Sequence, residues 1–256
     1  MIHPTAIVHD GADIGPGVEI GPYCVVGPKV TLAGGVRLVS HVVIEGLTRI
    51  GQQTVVHPFA YLGGPPQHLA HRGEETSLEV GERNTIREYC TLNRGTVQDA
   101  GVTRVGDDNW IMAYCHVAHD CQVGSHTVFA NHATLAGHVH IGDYTILGGF
   151  VGVHQFVKVG AHVMAGISSV VTQDVPPYLT IAGNPCVPHG INSEGLKRRG
   201  FSPESLAALK RAYRTLYKSG LSLAQAREEL ERQGAEIPEI ASLARFLAAS
   251  TRGILR

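Results

Sequence analysis

The sequence predicts an all-β solenoid, a parallel β-helix of hexapeptide repeats, followed by a C-terminal α-helical domain. Three observations carry that reading. From Val105 to Val171 every sixth residue is apolar: Val105, Ile111, Val117, Val123, Phe129, Leu135, Ile141, Leu147, Val153, Val159, Ala165 and Val171. An earlier ladder is equally regular, through Ile2, Val8, Ile14, Ile20, Val26, Leu32, Leu38, Ile44, Ile50, Val56 and Leu62. Beyond Gly190 the apolar spacing changes to threes and fours. A helix repeats every three to four residues and a lone strand every two, so a sustained period of six is neither. It fits a coil in which each six-residue unit is one short strand plus a corner.

Each element follows from local chemistry. Four residues after the large apolar position stands mostly a small or β-branched one (Ala6, Val18, Val30, Val36, Val42, Thr48, Thr54, Ala60), so each unit is expected to point two side chains inward. The Gly-Pro pairs 15–16, 21–22 and 27–28 suit tight corners. The period breaks twice, near 63–77 and near 93–104, and is restored between the breaks at Val80, Ile86 and Leu92. In a solenoid such insertions become surface loops, and these often carry function. Val175-Pro176-Pro177-Tyr178 ends the repeat and Gly183-Asn184-Pro185 closes it, giving a β-helix over 1–189 and a helical domain over 190–256. Ser202-Pro203-Glu204 reads as a helix start, with Gly220 as its stop. Ser222 and Gln225 form a capping-box pattern opening a second helix to Gly234, and a third is expected over 239–249. This tail is expected to cap the open end of the coil, whose edge strands would otherwise invite aggregation.

The net charge of −1 offers nothing to a nucleic acid. Its distribution is uneven. Residues 190–220 carry Lys197, Arg198, Arg199, Lys210, Arg211, Arg214 and Lys218 against Glu194 and Glu204. That patch suits an acidic macromolecule or a phosphorylated ligand. The five cysteines are scattered without a CxxC pair, which points to a reducing cytoplasm. The repeat begins at Ile2, so no signal peptide is expected, and no apolar run approaches the roughly 20 residues of a membrane span.

Three hexapeptides complete one triangular coil, so eighteen residues return the chain to the same edge about 4.8 Å higher. His119 should then stack with Gly137 and Gln155, with Asp120 and His138 beside them, all facing outward. A His next to a carboxylate suits a general base near neutral pH. A glycine one rung away offers a backbone N–H to an oxyanion. Together they suit acyl transfer by direct attack of a hydroxyl or amine, and the chain holds no GxSxG motif. A competing reading makes His116, His119 and His138 a three-histidine zinc site of the carbonic anhydrase kind. His116 and His119 flank the inward Val117, which makes joint ligation awkward.

Several segments resemble the UDP-N-acetylglucosamine acyltransferase family that begins lipid A synthesis. They are Ile86-Arg87-Glu88, Asn93 to Gln98, Ala118-His119-Asp120-Cys121, Leu135-Ala136-Gly137-His138-Val139, Val153-His154-Gln155-Phe156, Gln173 to Tyr178, Asn192 to Phe201 and Ser250 to Gly253. The resemblance runs essentially end to end. It implies a left-handed coil, a homotrimer with sites between subunits, and transfer of an (R)-3-hydroxyacyl chain from acyl carrier protein to the 3-position of the UDP-sugar. His119 would be the base, Asp120 its orienting partner and the Gly137 N–H the oxyanion donor. His116 and His138 would line the site, and His154, Gln155, Asn192, Glu194, Arg198 and Arg199 would hold the nucleotide sugar. The acidic carrier protein would meet the basic patch. No metal is implied, and no cofactor beyond the phosphopantetheine arm that delivers the acyl chain.

Two departures from the family matter. Its excursion loop usually reads Pro/Asn-Gln-Asp-x-Lys-Tyr, whereas this chain has Pro66-Gln67-His68-Leu69-Ala70-His71. Gln67 and His68 thus face the sugar without the family's carboxylate and lysine. A 3-amino sugar must attack as the free amine, which a nearby carboxylate would disfavour, so a 3-amino UDP-sugar is an alternative acceptor. Ile167 stands where the family often has glycine at the far end of the acyl groove. Each methylene it displaces forfeits about 0.8 kcal/mol of burial, so a chain of about ten carbons is expected rather than fourteen. Other readings are the related N-acyltransferase, which carries an extra uridine-binding domain; a small-molecule acetyltransferase using acetyl-coenzyme A; and a non-catalytic scaffold.

Overall fold

The computed structural model describes residues 1–234 and 237–256. Twenty-seven short strands and four helices lie among them. The strands form three sheets of nine, eight and ten strands; within the coil every third strand pairs in parallel, and the ten-stranded sheet ends in one antiparallel pair. Each sheet is one face of a triangular prism. His116–Val117 lies on the first face, Gln122–Val123 on the second and Val128–Phe129 on the third. Pairing is eighteen residues apart, as in His116 with Thr134 and Val117 with Leu135. The coil is left-handed. The usual right-handed preference belongs to crossovers that pack back onto one sheet; here the return path is two further strands of the same coil.

The six-residue ladder is the core. All twelve apolar positions from Val105 to Val171 are buried. At roughly 1.5–3 kcal/mol per fully buried side chain, this column supplies the main drive for coiling. The first ladder is buried only from Ile20 onward, because Val8 and Ile14 are partly covered and Ile2 is exposed at the open amino-terminal end.

Corners take an unexpected form. Nearly every turn places one non-glycine residue at positive φ, and many of these residues are aromatic or histidine. Tyr114, His132 and Phe150 line one corner, Asp120, His138 and Phe156 the next, and His126, Tyr144 and His162 the third. Successive rings stack 4.6–4.8 Å apart along the Tyr89–Tyr114–His132–Phe150 corner. That distance is the spacing of adjacent strands, so ring stacking offsets part of the strain of the left-handed backbone.

The chain leaves the coil after Tyr61–Gly64 and re-enters at Ser77–Val80; it leaves again after Thr91–Asn93 and re-enters at Val102–Val105. The pairing interval accordingly lengthens to thirty residues between Tyr61 and Thr91, and to twenty-five between Thr91 and His116.

The coil ends in an antiparallel hairpin, Leu179–Gly183 with Cys186–Ile191. Four helices follow: α1 (Ser193–Arg198), α2 (Pro203–Lys218), α3 (Leu223–Gly234) and α4 (Pro238–Ala249). Ser202 caps α2 by accepting from the Ser205 N–H, and Ser222 and Gln225 cap α3 reciprocally. Leu209, Ala212, Leu216, Leu230, Ile240 and Leu247 form the helical core. The tail returns to the coil: Leu255 joins the solenoid core, and its N–H donates to the Asp174 carbonyl. The short helix α1 and the terminal hairpin are additions to the sequence-based expectation.

Candidate active site

The corner between the first and second faces holds the candidate catalytic residues His119, Asp120 and Gly137. Its rungs are residues 118–121, 136–139 and 154–157. The eighteen-residue return places Gly137 against His119: a Cβ added at Gly137 would lie 2.5 Å from His119 Cε1 and 2.7 Å from Nε2. The His138 N–H donates to the His119 carbonyl, and the Phe156 N–H to the Gly137 carbonyl. The Gly137 N–H itself donates to no backbone carbonyl among the described residues.

His119 and Asp120 are adjacent in sequence, yet their side chains meet. The positive φ of Asp120 turns its carboxylate back toward the imidazole, and His119 Nδ1 lies 2.9 Å from Asp120 Oδ2. Asp120 is held from behind as well. The Thr96 N–H and hydroxyl donate to its two oxygens at 2.8 and 2.7 Å, and its own N–H donates to Thr103 Oγ1 at 2.8 Å. Burial pushes the Asp120 carboxyl up. The bonds from His119 and Thr96, with the nearby charge of His138, outweigh it and leave the group below the usual carboxylate range. As a carboxylate it accepts a hydrogen bond from Nδ1–H, which leaves the His119 Nε2 lone pair free to take a proton.

The sequence places His119 and Asp120 facing outward. They do point away from the coil, but His119 is only 9% exposed and Asp120 is buried. The excursion loop after Asn93 lies over them, with Gly95 packed against Asp120 Oδ1. The same loop supplies Asp99, whose Oδ2 is 2.7 Å from His138 Nδ1. The other loop brings His68 edge-on to His119, at 5.2 Å between ring centres. Its neighbour Gln67 is exposed.

His116 sits one strand away, half-buried, with Nδ1 2.7 Å from Thr91 Oγ1. Burial, then the charge of His119, lowers its pKa. The three-histidine zinc set is corrected here. The residues whose ligand atoms lie within 4.8 Å of one another are His119, Asp120 and His138, without His116.

The residues expected to hold the nucleotide sugar divide. His154 and Gln155 are exposed on the His119 corner, one rung beyond Gly137. Asn192 caps α1 by accepting from the Gly195 N–H and donates to the His162 carbonyl. Arg199 donates to the Tyr144 carbonyl and lies over the Tyr144 ring. Both therefore rest on the corner between the second and third faces. Glu194 and Arg198 are exposed on α1, with Glu194 paired to Lys197. Ile167 occupies the remaining corner, between the third and first faces, 71% exposed beside Gly149. One chain does not bring these groups to His119. In the helical domain, Lys210, Arg214 and Lys218 line an open groove with His189 and Tyr213.

Comparison with known proteins meets this geometry. Residues 174–255 match the profile described as "Udp N-acetylglucosamine O-acyltransferase; Domain 2", and residues 103–137 match "Bacterial transferase hexapeptide (six repeats)". The acyl-[acyl-carrier-protein]–UDP-N-acetylglucosamine O-acyltransferase of Verminephrobacter eiseniae is 53% identical over 100% of this chain and 99% of its own. The chain belongs to this family. The solved UDP-N-acetylglucosamine O-acyltransferase of Moraxella catarrhalis superposes with a TM-score of 0.97 at 44% identity, covering 100% of this chain and 99% of its own. That of Francisella novicida gives 0.99 at 41% identity, with coverage of 100% and 94%.

Thr96, Thr103 and Asp99 escaped sequence reasoning about this O-acyltransferase site. Thr96 and Asp99 arrive from an insertion where the six-residue period is suspended, and Thr103 lies on the strand Val102–Val105 that follows it. The available signal was the Asn93-Arg94-Gly95-Thr96 stretch itself, polar and glycine-bearing inside an otherwise apolar ladder.

Proposed function

We propose that this chain transfers an (R)-3-hydroxyacyl group from acyl carrier protein to the 3-hydroxyl of UDP-N-acetylglucosamine, the opening step of lipid A synthesis. The observation that carries the mechanism is the contact of Gly137 with the ring of a His119 whose Nδ1 is engaged by Asp120. His119 Nε2 takes the proton of the sugar hydroxyl as its oxygen bonds to the thioester carbonyl carbon. The negative charge moves onto the carbonyl oxygen, within reach of the Gly137 N–H. The intermediate collapses by breaking the carbon–sulfur bond, and His119 returns the proton to the departing phosphopantetheine thiolate. Asp120 stays ionised and holds the imidazolium. His116, His138, Gln67 and His68 line the acceptor pocket.

The reading is a homotrimer. His119, Arg199 and Ile167 occupy three different corners of one prism, so one substrate meets all three only where corners of neighbouring copies converge. Asn192, Glu194, Arg198 and Arg199 would then come from a neighbouring copy to join His154 and Gln155 around the nucleotide. The groove of Lys210, Arg214 and Lys218 would receive the acidic carrier protein. The five cysteines are free and buried, and among the described residues no helix is long and apolar enough to cross a membrane; both suit an enzyme working in the cytoplasm.

A second acceptor is favoured by one observation: beside His119 this chain presents His68, where the resemblance leads one to expect a carboxylate. Without that carboxylate a 3-amino UDP-sugar would more readily keep the free-amine form in which it attacks the thioester. The deciding assay pairs hydroxyacyl carrier proteins of ten, twelve and fourteen carbons with the 3-hydroxy and 3-amino UDP-sugars. Transfer to the hydroxyl sugar, fastest with the ten-carbon donor, is the expected result. A strong preference for the amino sugar reassigns the acceptor, and no transfer by any pair overturns the reading.

A further inference from the structure

His138 is built into the corner as firmly as His119, by different residues. Its ring lies flat on Phe156, 4.3 Å between centres and 9° between planes. Its edge meets the His119 ring at 5.0 Å, nearly perpendicular. Stacking fixes the plane of the imidazole; the Asp99 carboxylate fixes which nitrogen points where. Asp99 Oδ2 lies 2.7 Å from His138 Nδ1, and Asp99 Oδ1 accepts the Ala100 N–H at 2.8 Å, so both oxygens are committed. The Asp99 N–H donates to the Thr96 carbonyl, and Thr96 is bonded to Asp120. One loop therefore holds two histidine–carboxylate pairs side by side. Asp120 is the second acid near His138 Nδ1, at 3.8 Å, and the closer Asp99 takes the hydrogen bond.

We propose that Asp99 is a positioning residue for substrate recognition. It holds His138 with its proton on Nδ1, so that Nε2 stands as a hydrogen-bond acceptor for a hydroxyl of bound substrate. This role rests on the acyl-transfer reading. A carboxylate accepts and cannot donate, so the partner of Asp99 must be the N–H form of Nδ1. With the proton on Nδ1, the neutral form of the ring carries its lone pair on Nε2, and that is the form the proposed acceptor role requires. Nε2 has no partner among the described residues, and the His138 side chain is 13% exposed, so its free edge opens on the site rather than on bulk solvent. Without Asp99 the imidazole can take either tautomer, and the form with its proton on Nε2 presents a donor where the substrate also presents a donor.

The test is steady-state kinetics on Asp99→Ala, Asp99→Asn, His138→Ala and the Asp99→Ala/His138→Ala double variant, with wild type in parallel. Asp99→Ala is expected to raise KM about tenfold with kcat within about twofold, the pattern of lost uniform binding. Asp99→Asn keeps a neutral acceptor and should lose less than about threefold. In the His138→Ala background, Asp99→Ala should add nothing, because its effect passes through that ring. A loop that merely supports Thr96 and Asp120 would lower kcat instead, and would do so with or without His138; either result overturns the proposal, as does wild-type KM in Asp99→Ala. Nitrogen-15 shifts of His138, assigned by comparison with His138→Ala, give a readout independent of activity. The Nδ1–H form is expected in wild type and a tautomer mixture in Asp99→Ala; identical shifts in the two overturn the assignment. Failure of wild type itself to transfer acyl groups would sink the acyl-transfer reading, while the nitrogen shifts still decide the role of Asp99.

Discussion

Gly137→Ala should disable the enzyme without unfolding it. The added methyl would stand 2.5 Å from His119 Cε1 and 2.7 Å from Nε2. Carbon atoms in comfortable contact are about 3.5–4.0 Å apart, so the imidazole must retreat by about 1 Å. Its bond to Asp120 begins at 2.9 Å, and a retreat of that size along the bond takes it beyond hydrogen-bonding range. The same methyl would crowd the path to the Gly137 N–H. A displacement of about 1 Å at a reacting group can cost about a hundredfold in rate, equivalent to about 2.7 kcal/mol of barrier. The assay is single-turnover acyl transfer with saturating sugar, alongside thermal unfolding. Gly152→Ala is the control, because nothing lies within 4 Å of a Cβ at that position; it should transfer acyl groups at the wild-type rate. A Gly137→Ala enzyme within about threefold of wild type would refute the proposed closeness of base and oxyanion donor. A rate loss matched by the unfolded fraction would refute it equally.

The remaining predictions concern the other two corners. Ile167→Gly should shift the preferred donor toward longer chains, since removing the exposed side chain frees space for several methylenes at about 0.8 kcal/mol each; competition between ten- and fourteen-carbon donors checks it, and an unchanged ratio rejects the ruler role. His162 has its pKa pushed down to about 4 by burial first and the Arg199 charge second, against the opposing charge of Asp143. Folding therefore favours the neutral ring, and its contribution is complete above about pH 6.5 and is lost as pH falls toward about 4. Urea midpoints should fall between pH 7.5 and pH 5, and the fall should be smaller in His162→Gln; an equal fall in both would reject this assignment.

Periodicity made the coil legible, and with it half of the site. Six-residue spacing identifies the inward column, and the eighteen-residue return brings Gly137 to His119 before any coordinates are known. The rest was hidden where the period is broken. Thr96 and Asp99 belong to an insertion, and an insertion has no register from which to compute a position. Their effect is large: a corner expected to face solvent is instead covered, and Asp120 is locked by three hydrogen bonds beyond the one to His119. The corner chemistry was also unread. Gly-Pro pairs mark the early corners, but Tyr114, His132, Phe150 and their counterparts turn the chain at positive φ with ordinary side chains. Their recurrence at eighteen-residue intervals is seen in three dimensions as ring stacks, which favour that conformation at the corners where they form.

The division of labour among the corners has a physical logic. A parallel coil offers three edges, and residues on one edge approach one another only along the coil axis, by one strand spacing per turn. That suffices for the proposed base His119, its oxyanion donor Gly137 and the flanking His138, which need separations of a few ångströms and occupy successive rungs of one corner. It does not suffice for a nucleotide diphosphate sugar and a long acyl chain, whose contacts must spread sideways. A second edge cannot come from the same chain, because the corners of a prism point apart. Arg199 is committed to Tyr144 on its own corner, and its Nη1 is buried without a hydrogen-bond partner. Ile167 is exposed on the third. Apposing corners of separate copies would put Arg199 and Ile167 around the proposed catalytic column of His119 without bending any coil. A variant blocking that apposition, such as a bulky charge at Gly149 beside Ile167, should abolish transfer while each coil stays folded. Full activity in a variant shown to be monomeric would mean that one corner is enough.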